Sequence, residues 1–261
     1  MTRVPAADST LRILEYLAHQ RGPVAAQTLA SALEIPRSSM YQILEVLTQR
    51  GFVVHIPESK RYGLGPSSFE LSSAYTRQQP LTRLAAPLLA KMVDRVGESA
   101  HLSVLHGTDV LYVIEERASR RPSLVTNVGV RLPAHLTASG RALLSALPLT
   151  QLRALYPSND VFTQRTGAAA TGPRSYRELK SLVVAAGEQG YAREHGEITP
   201  GLASIGVVVR DHLGWPAAGI ALTYPDDGDE TSEGTVDIRE RLLPELHSAA
   251  QELTRRIHGA R

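Results

Sequence analysis

The stretch from Pro36 to Gly51 does most to narrow what this chain can become. Pro36 suits the first turn of a helix, where its missing N–H is not needed. Gly51 suits the position just past a helix end. Between them Met40, Ile43, Leu44 and Leu47 recur at helical spacing, so the pattern predicts a helix from Pro36 to Arg50 with one apolar side. Two shorter helical patterns precede it. Ser9 is placed to cap a helix whose inner face is Leu11, Ile13, Leu14, Tyr16 and Leu17, stopped by Arg21-Gly22-Pro23. A second helix reads from Ala25 to Ala32 with Leu29 inward, and Leu33-Glu34-Ile35 makes a tight connection. After Gly51, Phe52 to Ile56 and Arg61 to Leu64 read as strands around the turn Pro57-Glu58-Ser59-Lys60. Helix, helix, short turn, helix and hairpin within about 65 residues is the winged helix-turn-helix layout.

The chain of 261 residues has room for a second, larger domain. The expected division is 1–65 for the winged helix-turn-helix, 66–80 for a linker helix and 81–261 for the rest. Linker residues Ser67 to Gln79 are mostly polar, with Phe69, Leu71 and Tyr75 as candidate contacts, and Pro80 closes them. A helix is predicted from Leu81 to Val96, with Pro87 near its start or at a kink. Strands are predicted at His101 to His106, Val110 to Glu116, Leu124 to Val128, Tyr191 to Glu194, Ser204 to Arg210 and Ala217 to Tyr224. Helices are predicted at Ser139 to Leu147, Thr150 to Tyr156, Ser175 to Gln189 and from the acidic loop Pro225–Gly234 to about Ile257, with Pro244 as a kink. Pro157 to Pro173 is a long loop and a candidate for mobility. Hairpin-linked strands alternating with helices imply an α+β fold, an antiparallel sheet covered by helices.

No run of residues reaches the length and apolarity of a membrane span, and the N-terminal residues carry no apolar signal core. With no cysteine, thiolate metal sites and disulfides are excluded. These features point to a cytoplasmic protein with no membrane partner. The net charge of +2 falls within residues 1–65, and the remainder is neutral. A basic excess confined to one end is compatible with nucleic-acid binding.

Several strings carry a further signal. Near the N-terminus stand Leu33-Glu34-Ile35-Pro36-Arg37-Ser38-Ser39-Met40-Tyr41 and Lys60-Arg61-Tyr62-Gly63-Leu64-Gly65. Later come Arg131-Leu132-Pro133-Ala134-His135-Leu136-Thr137-Ala138-Ser139-Gly140-Arg141-Ala142-Leu143-Leu144, Gly190-Tyr191-Ala192-Arg193-Glu194 and Pro200-Gly201-Leu202-Ala203-Ser204-Ile205. In this order, over nearly the whole chain, they resemble the IclR family of bacterial transcription regulators. The resemblance implies a winged-helix DNA-binding domain and a GAF-like effector domain. It also implies homodimers able to pair into tetramers, and effectors that are small organic acids or aromatic metabolites. Two departures stand out: many members have cysteine where this chain has Ser204, and some have a small polar residue where it has Ala221. By motif position the resemblance places Leu124, Leu132, Ala138, Ser139, Glu194, Leu202, Ser204, Ala221 and Thr223 around the ligand.

The residues themselves suggest how such a protein would work. The first turn of the third helix carries Arg37, Ser38 and Ser39, with Tyr41 and Gln42 next. Arginine can fork onto guanine, glutamine onto adenine, and hydroxyls onto phosphate or base edges. Lys60 and Arg61 at the wing and Gln27 near the start of the second helix are candidate backbone contacts. A pseudo-palindromic duplex operator read by a dimer is the expected partner. In the second domain Ala138, Ser139 and Gly140 open a helix whose amides can meet an anion, with Thr137 or Ala138 as cap. Ser204 opens an apolar strand, and Ser204 and Ser139 are expected to donate hydrogen bonds to the ligand. Ala221 and Thr223 share strand parity. The departures at Ser204 and Ala221 suggest an aromatic or branched carboxylic acid, and Glu194 disfavours a multiply charged anion.

Neither a His-Glu-x-x-His box, a Gly-x-Ser-x-Gly elbow, a Gly-rich phosphate loop nor a dinucleotide fingerprint is present. No catalytic residue, metal or cofactor is therefore expected, and His135 reads as a structural hydrogen-bonding residue. Two other classes stay open at this point: a sensor or interaction module without specific DNA binding, and a small-molecule enzyme.

Overall fold

The computed structural model describes residues 4–20, 22–71, 80–119, 121, 127–165, 172–226 and 238–259. The chain divides into two compact units, Met1–Gln79 and Pro80–Arg261.

Unit 1 opens with α1 (Pro5–Ala18), which begins earlier than a Ser9 cap would place it. Val4 occupies the cap position without a side-chain bond, Pro5 stands at the helix start, and Asp8 lies in the first turn. A proline preset for helical φ and an acid near the positive end of the helix dipole start the helix, leaving Ser9 inside it. Ile13 and Leu17 are buried, whereas Leu11 faces solvent. Next come β1 (Val24–Ala25) and α2 (Ala26–Leu33). α2 ends on Glu34 in the left-handed conformation, φ 55°, and the chain turns at once into α3 (Arg37–Gln49). Pro36 stands at the cap position, so α3 begins at Arg37, one residue after the predicted start. β2 (Val53–Ile56) and β3 (Arg61–Leu64) form the hairpin, and β1 adds to its other edge, giving the order β1-β3-β2. Ile13, Leu29, Met40, Leu44, Leu47 and Val53 share one core. Helix α4 is described over residues 66–71 only; the rest of the expected linker helix, Tyr75 included, lies outside the described residues.

Unit 2 is built on a six-stranded antiparallel sheet in the order β6-β5-β4-β9-β8-β7. The strands are β4 (Ser99–His106), β5 (Asp109–Glu116), β6 (Arg131–Pro133), β7 (Ala192–His195), β8 (Leu202–Arg210) and β9 (Pro216–Pro225). Strand alternation divides the side chains between two faces. Ala100, Leu102, Ile205, Val207, Ile220 and Leu222 enter a core with Leu89 and Met92 of α5 (Pro80–Val96) and Leu242 and Leu246 of α9 (Ile238–Gly259). Pro87 and Pro244 both sit inside their helices. The opposite face carries α6 (Ala138–Ser145), α7 (Leu149–Leu155) and α8 (Tyr176–Gln189), whose core includes Leu143, Leu144, Leu152, Tyr156 and Leu179.

Two sequence expectations change here. The strand expected at Leu124–Val128 falls mostly outside the described residues, and Val128 sits in a turn, 62% exposed. The edge strand beside β5 is instead β6, which pairs Val110 with Leu132. The expected loop Pro157–Pro173 contains a 3₁₀ turn at Asn159–Val161, and its residues 166–171 lie outside the description.

Candidate functional site

Two glycines decide where α6 lies. A Cβ on Gly206 of β8 would meet the backbone of Ala138 and Ser139 at 2.8 Å, and one on Gly219 of β9 would meet the Ser139 carbonyl oxygen at 2.8 Å. With no side chain at either position, the first turn of α6 rests directly on the sheet. Thr137 caps that turn, its Oγ1 accepting from the Gly140 amide at 3.0 Å.

Beside this contact is a small cavity lined by His101, Tyr112, Thr137, Ala138, Ser139, Glu194, Ile198, Thr199, Leu202, Ser204, Ala221 and Thr223. Its free volume is about 20 Å³, room for a water molecule or two. Ala138, Ser139, Glu194, Leu202, Ser204, Ala221 and Thr223, all singled out in the sequence, meet here. Leu132 does not: it is 4% exposed and packs with Val110, Leu136 and Leu143 in the core below α6. Leu124 lies outside the described residues. Sequence reasoning missed His101 and Tyr112. They reach the cavity because β4 pairs His101 with Ala221 and Ser103 with Tyr112. It also missed Ile198 and Thr199, from a loop bounded by Gly196 (φ 71°) and Gly201 (φ 75°).

The polar groups of the cavity are hydrogen-bonded to one another. Ser204 Oγ donates to Glu194 Oε1 at 2.7 Å and lies 3.0 Å from Thr223 Oγ1. Ser204 therefore positions Glu194, and the expectation that its proton is directed at a ligand is corrected. Ser139 Oγ accepts from Ser103 Oγ at 2.9 Å, which leaves the Ser139 proton for another acceptor. Glu194 is 3% exposed. Burial, reinforced by the neighbouring Glu197, pushes its carboxyl up to about 8, against the pull of Ser204 and Arg141. Burial likewise pushes His101 down to about 4, so its imidazole is neutral, and raises the Tyr112 phenol.

Glu197 behaves oppositely. Burial alone would raise it, but the Arg141 charge and hydrogen bonds outweigh that and hold it below the usual carboxylate range. Arg141 is 4% exposed. It donates to Glu197 Oε1 at 2.7 Å, to the His135 carbonyl at 2.9 Å and to the Arg193 carbonyl at 2.6 Å. His135 is buried, with Nε2 2.9 Å from the Thr163 carbonyl and its ring edge-on to Tyr156 and Phe162.

Unit 1 presents the other candidate site. Arg37, Ser38, Tyr41 and Gln42 are exposed on α3 and Ser39 is half-buried. Gln27 of α2 joins Arg37 and Tyr41 around one shallow depression. Lys60 and Arg61 are exposed at the hairpin turn, and Arg61 also reaches the Pro23 carbonyl at 3.3 Å. On α3, Ser38 and Gln42 lie on the side opposite Met40, Leu44 and Leu47. Arg37 and Tyr41 flank Met40 at the depression shared with Gln27, so the first turn carries an exposed polar edge of the kind a groove-reading helix uses.

Residues 6–57 match the model of the IclR helix-turn-helix domain, and residues 73–255 match that of the bacterial transcriptional regulator IclR C-terminal domain. The chain belongs to the IclR family. It is a DNA-binding transcriptional regulator with an effector-binding C-terminal domain. The HTH-type transcriptional regulator BhcR of Paracoccus denitrificans is 30% identical over 224 residues, 85% of this chain and 78% of that protein. Among solved structures, a putative transcriptional regulator from Rhodococcus sp. RHA1 is 25% identical. It superposes with a TM-score of 0.80 over 99% of this chain and all of that one. An IclR homolog from Microbacterium hydrocarbonoxydans, complexed with 4-hydroxybenzoate, is 21% identical. It shares the fold with a TM-score of 0.80 over 97% and 98% of the two chains. Among the described residues, no helix is long and apolar enough to cross a membrane, and no acidic or histidine cluster could hold a metal ion.

Proposed function

We propose that this IclR-family regulator binds a pseudo-palindromic operator as a homodimer, and that a small monocarboxylic acid held in the unit 2 cavity modulates that binding. Residues 1–65 read DNA, 66–80 link and 81–261 sense. The observation that carries the reading is the cavity's chemistry. Hydroxyls of Ser139 and Tyr112 and the first turn of α6 offer donors at one side, while Ile198, Leu202 and Ala221 offer apolar surface, the usual make-up of a small-molecule site. At about 20 Å³ the cavity is too small for an aromatic acid, so such a ligand enters only if the loop between Gly196 and Gly201 gives way; the Microbacterium protein of the same fold is complexed with 4-hydroxybenzoate. A regulator of this kind works where the chromosome is, in the cytoplasm.

A ligand shifts operator binding only through different affinity for two states of the protein. Operator fragments selected from the source genome supply the probe DNA. Arg37→Ala should weaken specific binding by about 1–3 kcal/mol, the worth of a bidentate base contact. Lys60→Ala should weaken all sequences alike and lower the slope of log affinity against log salt. Operator affinity unchanged in Arg37→Ala across several salt concentrations would refute the role of α3.

Effector binding is measured by calorimetry or thermal shift. Ser139→Ala should lower acid affinity by about 1 kcal/mol, the net worth of one hydrogen bond, and Ser204→Val should lower it indirectly, by releasing the Glu194 carboxyl that the Ser204 hydroxyl holds. If neither changes it, the acid binds elsewhere.

A further inference from the structure

Glu194 has one satisfied and one unsatisfied oxygen. Oε1 accepts the Ser204 hydroxyl at 2.7 Å. Oε2 is buried and accepts no hydrogen bond from any described group. A buried carboxylate oxygen without a donor is costly. A proton removes the cost, and it belongs on Oε2 because Oε1 is already accepting.

The surroundings favour the same state. Ser204 faces Glu194 from β8, with Thr223 behind it on β9. Tyr112 of β5 and neutral His101 of β4 share the cavity. Glu197, on the loop after β7, faces the Glu194 carboxyl as a charged neighbour and hydrogen-bond acceptor, both of which favour the protonated form, and Arg141 of α6 is the nearby cation. The Arg141 guanidinium, however, is spent on Glu197 and on two carbonyls. The pair is held at 2.7 Å, so the charge Glu194 would need for ionisation is already taken. An organic anion entering here would meet a second negative charge if Glu194 were ionised, and a hydrogen-bond donor if it were not.

We propose that Glu194 meets the effector as a carboxylic acid and donates a hydrogen bond from Oε2 to an anionic oxygen of the ligand, so that effector binding requires one proton held in the cavity. This rests on the reading that the cavity takes a carboxylic acid. It also sharpens the expectation that Glu194 disfavours a multiply charged anion: in its acid form it receives a single negative charge, while a second on the same ligand would face ionised Glu197.

The sign follows from linkage. With the carboxyl titrating near 8, affinity for an anion should be nearly constant below neutrality. It should fall as pH rises through that range, approaching about tenfold per pH unit above it. The regulator would thus lose its response to the effector under alkaline conditions.

The test uses the full-length protein with benzoate and pyruvate as probes, both ionised throughout. Calorimetry from about pH 6.5 to about pH 9.5, in buffers of different ionisation enthalpy, reads affinity and proton uptake together. The expected result is uptake rising from near zero toward one proton per acid bound, with affinity falling in step. Glu194→Gln keeps the shape and a donor but does not titrate. It should flatten the profile and bind the probe more tightly than the wild type at about pH 9.5. A wild-type affinity independent of pH, without proton uptake, overturns the proposal while leaving the acid-binding reading intact.

If neither probe binds, the acid reading fails for both, and infrared difference spectroscopy of the ligand-free protein decides the Glu194 step. A protonated-carboxyl C=O band at neutral pH that is lost in Glu194→Gln supports it, and its absence overturns it.

Discussion

Replacing Arg141 with methionine should cost unit 2 about 3–5 kcal/mol, because it strands a buried carboxylate. Arg141 and Glu197 are 4% and 8% exposed, so solvent cannot take over the lost partner. The guanidinium also ties the His135 and Arg193 carbonyls to α6. Glu197 in turn accepts from the His195 amide, at the start of the loop that carries Ile198 and Thr199 into the cavity. Losing Arg141 therefore loosens that loop, and effector affinity should fall along with stability. Trp215, the single tryptophan, lies in unit 2, so its fluorescence in a urea titration follows this unit. The double variant R141M/E197L should recover much of the loss, since a buried pair replaced by apolar groups is often near neutral. The acid limb gives a second check. Glu197 is held below the ordinary carboxylate range, so its contribution is present above its unfolded value and disappears as pH falls through the folded one. The wild type should lose that stability on acidification and R141M should not. A loss below about 1 kcal/mol for R141M at neutral pH would show that the pair does not anchor the loop.

Arg141 also shows where sequence reading stops. Nothing in Thr137-Ala138-Ser139-Gly140-Arg141 says that the arginine points inward; most arginines do not. It does so because Gly206 and Gly219 let α6 lie on the sheet, and those glycines come from strands more than sixty residues away. The same holds for His101 and Tyr112, whose place in the cavity depends on the register of β4 against β5 and β9. β1 and β6, of two and three residues, are too short for a period and exist only through their partners β3 and β5. What was legible had local causes. Pro36, Gly51 and four apolar residues at helical spacing placed α3 within a residue at each end. Thr137 and Ala138 before a helical run were the two cap candidates for α6, of which Thr137 holds the position, and strand parity put Ala221 and Thr223 on one face. Ser204 was read correctly as a polar contact inside the fold but assigned to the wrong partner, because Glu194 lies opposite it only once β7 pairs with β8.

Truncating Leu44 to alanine should weaken operator binding sharply while leaving the effector site as it is. Leu44 is 1% exposed and packs among Ile13, Leu29, Met40 and Leu47 on the inner side of α3. Such a truncation in a packed core costs about 2–5 kcal/mol. At roughly 0.05–0.15 kcal/mol per residue, a unit the size of Met1–Gln79 has only about 4–12 kcal/mol to lose. L44A therefore removes a large part of the stability of unit 1 and leaves α3 loosely seated. The reading edge of α3 depends on its seat, because Arg37, Tyr41 and Gln42 must be presented together for several base contacts to form. The loss should exceed that of Arg37→Ala, which removes one contact and leaves the fold alone. Unit 2 has its own cores on both faces of its sheet, none of them including Leu44. Its Trp215 transition and its affinity for an acid probe should stay at wild-type values. Far-ultraviolet circular dichroism followed through a thermal scan should then show an early loss of helix that the Trp215 signal does not report. If L44A instead bound operator normally, α3 would not be the reading element. If acid affinity fell in parallel with operator affinity, the two units would not fold as separate bodies.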